Sequence, residues 1–312
     1  MMKIITLEQI KGALPKIDLI SSIEEGFVAY SGGRATVPPV GELLLDRGEV
    51  HIKYGYISGE PYYVIKIASG FSENSSLGLP SGNGMMLLFS QMTGELISLL
   101  LDEGYLTEIR TAVAGAIAAK YLAPSTVNKI GIVGTGMQGR LQLKYLQSII
   151  NCTEVLVWGR SEENLSRFKA EIGKEKFHID TTLDASRIMR ECNLIVTATS
   201  AKDPVLFSSD LQPGTHITAM GSDTPEKQEL DPDILKKADL VVADSIPQCL
   251  LRGEIFKAIQ AGAIRQENLT ELGSIISGTT KGRTSNGQIT VADLTGVAVQ
   301  DIKIASGVYQ AL

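Results

Sequence analysis

Six residues, Gly134-Thr135-Gly136-Met137-Gln138-Gly139, come directly after the apolar run KIGIV (129–133) and just before a segment of helical pattern. This placement constrains the fold more than any other feature of the chain. Glycines spaced G-x-G-x-x-G suit a buried strand that turns sharply into a helix: Gly134 permits the tight turn, Gly136 lets the main chain approach a ligand, and Gly139 allows helix and strand to pack closely. More short apolar runs follow, EVLVW (154–158), LIVTA (194–198), HITAM (216–220) and LVVA (240–243), separated by amphipathic stretches such as Leu141–Ile150 and Glu162–Ile172. Runs this short and this uniformly apolar fit parallel strands buried on both faces and joined by crossover helices. The sequence therefore predicts an α/β, Rossmann-type doubly wound parallel sheet from about Lys129 onward.

The first 125 residues read differently. Glu49–Tyr56 and Tyr62–Ala68 are β-rich and separated by the turn signal Ser58-Gly59-Glu60-Pro61, so a mixed α+β domain is expected. Thr107–Ala123 is rich in Ala and Gly and favours a closely packed helix, and Pro124-Ser125 marks a boundary. The segment SGTTKGRTSNGQ (277–288) is polar and Gly-rich, and ITVADLTGVAVQDIKIA after it has a helical look. These shifts predict one domain at 1–123, completed by about 294–312, and a second, carrying the glycine turn, at 124–293. Two lobes with a cleft between them are expected.

Composition excludes several function classes. The 312 residues carry 29 Lys plus Arg against 35 Asp plus Glu, a formal charge of −6, with no basic block to meet nucleic acid or an anionic membrane. Apolar runs such as Met85–Phe89 and Leu99–Leu101 fall far short of the roughly 20 residues of a membrane span, and the first residues lack a secretory pattern. A cytoplasmic protein is expected. Cys152, Cys192 and Cys249 form no CxxC pair, and His51, His178 and His216 no HxxH or HExxH pair, so neither a disulfide framework nor a metal site is expected.

A glycine-rich turn opening a helix aims main-chain N–H groups at phosphates, which makes 134–139 a nucleotide site. About twenty residues further on, where an NAD enzyme usually carries an acid for the ribose 2′-hydroxyl, the chain has Trp158-Gly159-Arg160-Ser161. Gly159 removes bulk and negative charge, and Arg160 and Ser161 can meet a 2′-phosphate, so NADPH is favoured, with NADH possible. The same residues also fit a solvated arginine and a serine that caps the next helix. Thr197-Ala198-Thr199 lies at the carboxyl edge of the sheet, where such folds bind ligands, although loop capping fits equally. The cofactor set also takes in Thr111, Met220 and Thr295.

Taken together, GIVGTGMQGR (131–140), EIRTAVAGAIAAKYLAP (108–124), the strand carrying Lys66, AMGSDTPEKQEL (219–230) and VADLTGVAVQD (291–301) resemble the ornithine cyclodeaminase and mu-crystallin family over nearly the whole chain. The family comprises ornithine and lysine cyclodeaminases, alanine dehydrogenases and reductases of cyclic ketimines such as Δ1-pyrroline-2-carboxylate. Its members are usually dimeric, with a Rossmann domain inserted into the substrate domain. The resemblance thus implies a homodimer acting on a small amino or imino acid. Residue by residue, it makes Lys66 and Arg110 partners of the substrate carboxylate and Asp223 the group facing the substrate nitrogen, with Lys66 and Asp223 catalytic. On sequence alone, Arg110 also fits an ion pair with Glu108 or Asp102, Lys66 a solvated strand face, and Asp223 a cap before Pro225.

One stretch departs from the family. Where many members carry an arginine shortly after a proline, this chain has Pro38-Pro39-Val40-Gly41. Lys53 falls roughly where the cyclodeaminases place an acidic residue used in their chemistry, and it is assigned to the substrate carboxylate in place of the absent charge; under a shifted register Arg34 is the missing arginine. A lost carboxylate harms a cyclodeaminase, which must manage ring closure and ammonia loss, more than a reductase. The expected function is NADPH-dependent reduction of a cyclic ketimino acid to L-proline or L-pipecolate. Ornithine cyclodeamination and a non-enzymatic NADPH-dependent carrier of the mu-crystallin kind are the alternatives. Arg160→Asp is expected to lower the NADPH-to-NADH preference in kcat/KM by about tenfold or more, the worth of one charge-assisted hydrogen bond; an unchanged ratio removes the 2′-phosphate role.

Overall fold

The computed structural model describes residues 2–172 and 176–312. The chain forms two compact units, one built from the residues up to Thr111 together with Val297–Leu312, the other from Ala112–Gly296.

The first unit is a seven-stranded sheet of β1 (Lys3–Thr6), β2 (Ala35–Thr36), β3 (Gly41–Leu45), β4 (Gly48–Ile57), β5 (Tyr62–Gly70), β6 (Gly82–Ser90) and β7 (Leu96–Leu101). The strands run in the order β1-β7-β6-β5-β4-β2, with β3 also on β4, and every pair is antiparallel except β1 with β7. Side chains alternate across the pleat, so Lys53 and Ile57 of β4 are buried while Tyr54 and Tyr56 are exposed. The inner face packs against helix Ala298–Gln310, which lies on helix Leu19–Ser31. Gly26 makes that approach close: a Cβ there would stand 3.2 Å from the Val299 carbonyl oxygen.

The second unit is an eight-stranded, wholly parallel sheet of β8 (Ile130–Val133), β9 (Glu154–Trp158), β10 (His178–Thr182), β11 (Leu194–Thr197), β12 (His216–Ala219), β13 (Leu240–Ala243), β14 (Leu269–Glu271) and β15 (Thr290–Asp293). Its order, β10-β9-β8-β11-β12-β15-β13-β14, changes direction between β8 and β11. The carboxyl ends of those two strands are therefore where a doubly wound sheet binds its ligand. The mixed α/β architecture with a parallel, Rossmann-type sheet is the one expected.

Three features differ from the expectation. The segment read as a helical tail begins as β15, buried along its whole length between β12 and β13, and its helix starts only at Ala298; four residues, TVAD, show no periodicity that separates strand from helix. The helix after the glycine turn spans Met137–Leu146, four residues earlier than Leu141. The units divide at 111/112 and 296/297 and not at 123/124 and 293/294. The helix Tyr105–Leu122 runs unbroken through the first division, with Gly115 against Gln142 of the second unit. At the other end, Thr295 Oγ1 and the Gly296 N–H donate to Asp244, which keeps the chain in the second unit as far as Gly296.

The polar segment 277–288 is tied down by one side chain. Arg283 donates to the carbonyls of Leu122, Thr215, Ser285 and Gln288 and to the Thr290 hydroxyl, and burial lowers its pKa to about 10. Among the described residues no helix is long and apolar enough to cross a membrane.

Candidate active site

In the second unit, Gly134 follows β8 with φ +117°, a conformation that side chains other than glycine's rarely adopt. A Cβ at Gly134 would lie 2.6 Å from the Ala198 carbonyl oxygen, so the loops after β8 and β11 meet main chain to main chain. Gly139 likewise packs against the Gly134 carbonyl. Gly136 is the N-cap of helix Met137–Leu146, and a Cβ there would meet nothing within 4 Å. The first N–H groups of that helix thus stand beside open space, as a phosphate requires.

A pocket of about 250 Å³ lies at this point, lined among others by Gly134, Thr135, Gly136, Gly159, Arg160, Ala198 and Thr199. A Cβ at Gly159 would sit 2.7 Å from Thr135 Cγ2, so the local packing excludes an acidic side chain from the position expected to carry one. Arg160 is exposed at the pocket. These residues fit a dinucleotide.

Of the other residues assigned to the cofactor, several have polar groups that make contacts within the protein. Ser161 Oγ accepts from the Asn164 N–H at 3.4 Å and so caps the next helix. The buried Thr197 hydroxyl donates to Glu229 Oε2 at 2.6 Å. Thr295 donates to Asp244 at 3.1 Å and accepts from Gln248 at 2.8 Å, and Thr111 donates to the Thr107 carbonyl within its own helix. Met220 is buried and Met137 exposed, and Gln138 Oε1 accepts from Gln142.

Glu229 has no distinguishing sign in the sequence, yet it braces the carboxyl-edge loops. Besides Thr197, its carboxylate accepts from the main-chain N–H groups of Thr199 at 2.6 Å and Gly221 at 2.9 Å. Glu254 in turn accepts from the Glu229 and Leu230 N–H groups at 2.7 and 3.1 Å. Burial, and next the charge of Glu229, raise the Glu254 pKa to about 8. Asp223, in the loop after β12, pairs with Lys227 Nζ at 2.8 Å, and its carbonyl accepts from Arg252.

The first unit gathers the three predicted cations. The β4–β5 register sets Lys53 directly opposite Lys66, and β6 brings Met86 to the other side of Lys66. Exposures are 6 % for Lys53, 1 % for Lys66 and 5 % for Arg110. Asp301, near the start of helix Ala298–Gln310, pairs with two of them through one oxygen: Oδ1 accepts from Lys66 Nζ at 3.1 Å and lies 3.1 Å from Arg110 Nε, which makes no hydrogen bond among the described residues. Arg110 Nη1 donates to Gln300 Oε1 at 3.0 Å. Neither a solvated strand face for Lys66 nor a surface ion pair for Arg110 describes these side chains. Burial, followed by the charge of Arg110, lowers the Lys66 pKa from 10.5 to about 7, against the pull of Asp301. Arg34 is exposed and Pro38–Gly41 partly exposed or exposed, and the β3–β4 register sets Gly41 opposite Ile52, the neighbour of Lys53.

Known proteins bear on this geometry. The profile of the ornithine cyclodeaminase/mu-crystallin family matches residues 2–312. The chain belongs to that family. An uncharacterized cyclodeaminase of Sinorhizobium fredii is 41 % identical, covering 99 % of this chain and 95 % of its own. Among solved structures, an archaeal alanine dehydrogenase dimer with bound NAD matches with a TM-score of 0.91 at 32 % identity over 99 % of this chain and 95 % of its own. The Δ1-pyrroline-2-carboxylate reductase of Thermococcus litoralis, in complex with NADH and L-proline, matches with a TM-score of 0.92 at 28 % identity over 99 % and 96 %. In this member of the family, Lys53, Lys66 and Arg110 are buried on one face of the sheet, and Asp301 ion-pairs with Lys66 and Arg110.

The Lys66 shift has two consequences of fixed sign. The unfolded chain, with the lysine near 10.5, binds more protons than the folded one at pH values from about 7 upward, so this group's contribution to stability rises with pH across that window and is least favourable below it. An anion placed beside Lys66 restores its proton. Binding of pyrrole-2-carboxylate at about pH 8, followed calorimetrically in buffers of different ionisation enthalpy, is therefore expected to take up roughly 0.9 proton, and almost none at about pH 6. Heats independent of the buffer at both pH values would show that Lys66 takes up no proton as the ligand binds.

Proposed function

We propose that the chain is an NADPH-dependent reductase of a cyclic ketimino acid, Δ1-pyrroline-2-carboxylate or Δ1-piperideine-2-carboxylate, forming L-proline or L-pipecolate. One observation carries the reading: Lys53 stands directly across from Lys66 on paired strands, both buried together with Arg110, and Asp301 ion-pairs with Lys66 and Arg110. A diamino acid would bring its own ammonium group into this positive field. A ring imine brings only a carboxylate and one nitrogen, and its carboxylate is what the cluster attracts.

Each side chain then has a role. Arg110 has its Nε against Asp301 and one Nη1 hydrogen on Gln300, so the opposite edge of the guanidinium remains to fork the substrate carboxylate. Lys66 adds a second cation and, with its pKa near 7, can hold or give up a proton at neutral pH. Lys53 supplies the positive charge that the loop Pro38–Gly41 lacks. Asp223 would keep the ring nitrogen protonated, which makes the imine carbon electrophilic, and Lys227 pairs with that carboxylate at 2.8 Å. Residues of the pocket beside Gly134 and Gly136 would hold NADPH, which would supply the hydride. Gly159 and Arg160 support NADPH over NADH.

A homodimer completes the reading. The first unit exposes Leu43, Leu44, Tyr54, Tyr56 and Met85, an apolar set of the kind that association covers, and the archaeal alanine dehydrogenase is a dimer. The name of the Sinorhizobium relative keeps cyclodeamination as the competing reading.

The two separate by assay. With NADPH and either ring imine, nicotinamide absorbance is expected to fall. Arg110→Met is expected to lower kcat/KM about a hundredfold, the loss of a bidentate charge-assisted contact. Ornithine with NAD is expected to release no ammonia, and ammonia without net consumption of cofactor would establish the cyclodeaminase instead.

A further inference from the structure

Asp301 takes no step in the reaction above, yet its geometry is unusual for a stabilising ion pair. A carboxylate that meets an arginine fork-to-fork uses both oxygens. Here Oδ1 alone lies 3.1 Å from both Lys66 Nζ and Arg110 Nε, while Oδ2 is buried and accepts no hydrogen bond among the described residues. The neighbouring Gln300 repeats the pattern, with Oε1 on Arg110 Nη1 and a buried Nε2 that finds no acceptor. Consecutive residues at the start of one helix thus leave hydrogen-bonding capacity unused while holding two cations from a strand and a second helix.

We propose that Asp301 is a positioning residue: one of its oxygens keeps Lys66 and Arg110 together, so that Lys66 gains its proton more readily when an anion binds and the guanidinium presents its free edge to the carboxylate of a small acid. The inference rests on the reading that these cations take the substrate carboxylate, and it assigns Asp301 no contact with substrate.

The surroundings of Lys66 make Asp301 decisive. Lys53 on the adjacent strand and Arg110 on helix Tyr105–Leu122 both oppose a charge on Lys66. Met86, opposite on β6, is apolar. Asp102, in the turn after β7, also acts on Lys66 through its charge, but its Oδ2 accepts the Leu106 N–H at 2.8 Å and burial raises its pKa. Asp301 is the anion in direct contact with Lys66. Asparagine in its place keeps the shape and an oxygen acceptor and removes the charge.

The test follows Lys66 itself. In protein labelled with 15N and 13C at lysine, the Lys66 Nζ and Cε resonances are assigned by their loss in K66M and titrated in wild type and D301N, and pyrrole-2-carboxylate affinity is measured across pH. D301N is expected to move the Lys66 midpoint down by at least one pH unit, a tenfold change in its proton affinity. The Kd is expected to weaken tenfold or more at about pH 8 and to return to within threefold of wild type at about pH 5.5. A Lys66 midpoint unmoved in D301N overturns the proposal. If D301N does not fold, D301E decides: charge kept but displaced by one methylene is expected to weaken binding at least fivefold with little change in the Lys66 midpoint, and unchanged affinity overturns the proposal. A protein that reduces no imine but shows the D301N shift loses the function assigned above and keeps this inference, and one that reduces the imine with an unmoved midpoint does the reverse.

Discussion

Burying cations on one face of a sheet is unfavourable unless something offsets the lost hydration. Lys53, Lys66 and Arg110 are withdrawn from water on one face of an antiparallel sheet, and Asp301 alone touches two of them. Removing ions from water costs several kcal/mol each even after relaxation, and the ion pairs with Asp301 offset that cost only in part. The folded protein answers in part by letting Lys66 approach neutrality, with its pKa near 7. The rest of the imbalance is a standing attraction for an anion, and the substrate argument depends on it.

The second unit solves a different problem. A dinucleotide needs main-chain N–H groups and room, and the turn after β8 provides both because Gly134, Gly136 and Gly139 carry no side chains to block either. The loops around that turn are held by buried carboxylates. Glu229 bridges the ends of β11 and β12 through Thr197, Thr199 and Gly221, Glu254 supports Glu229, and Asp244 holds Thr295 and Gly296. Hydroxyls assigned to the cofactor from their place at the strand ends, Thr197 and Thr295, are thus occupied in keeping those ends in place.

What could be read from the chain follows from the range of the forces involved. The strands at 130–133, 154–158, 194–197, 216–219 and 240–243 are visible because local burial writes itself as short apolar runs. The glycine turn is visible because its constraint is local too. β15 was not, since four residues inserted between distant strands carry no period. The meeting of Lys53 with Lys66 depends on strand register, which spacing alone leaves open. Asp301 brings together groups 191 and 235 positions away, and no pattern near it in the chain marks it. The division at 111/112 escaped for a related reason, because it cuts a helix whose sequence shows no break.

The central claim is that these cations bind the carboxylate of a small cyclic acid. It is tested most directly by a crystal structure of the protein with NADP+ and L-proline. The account predicts the proline carboxylate within about 3.2 Å of nitrogens of both Arg110 and Lys66, the ordinary range for such contacts. A carboxylate bound elsewhere, with Arg110 and Lys66 still turned only toward protein acceptors, would contradict it.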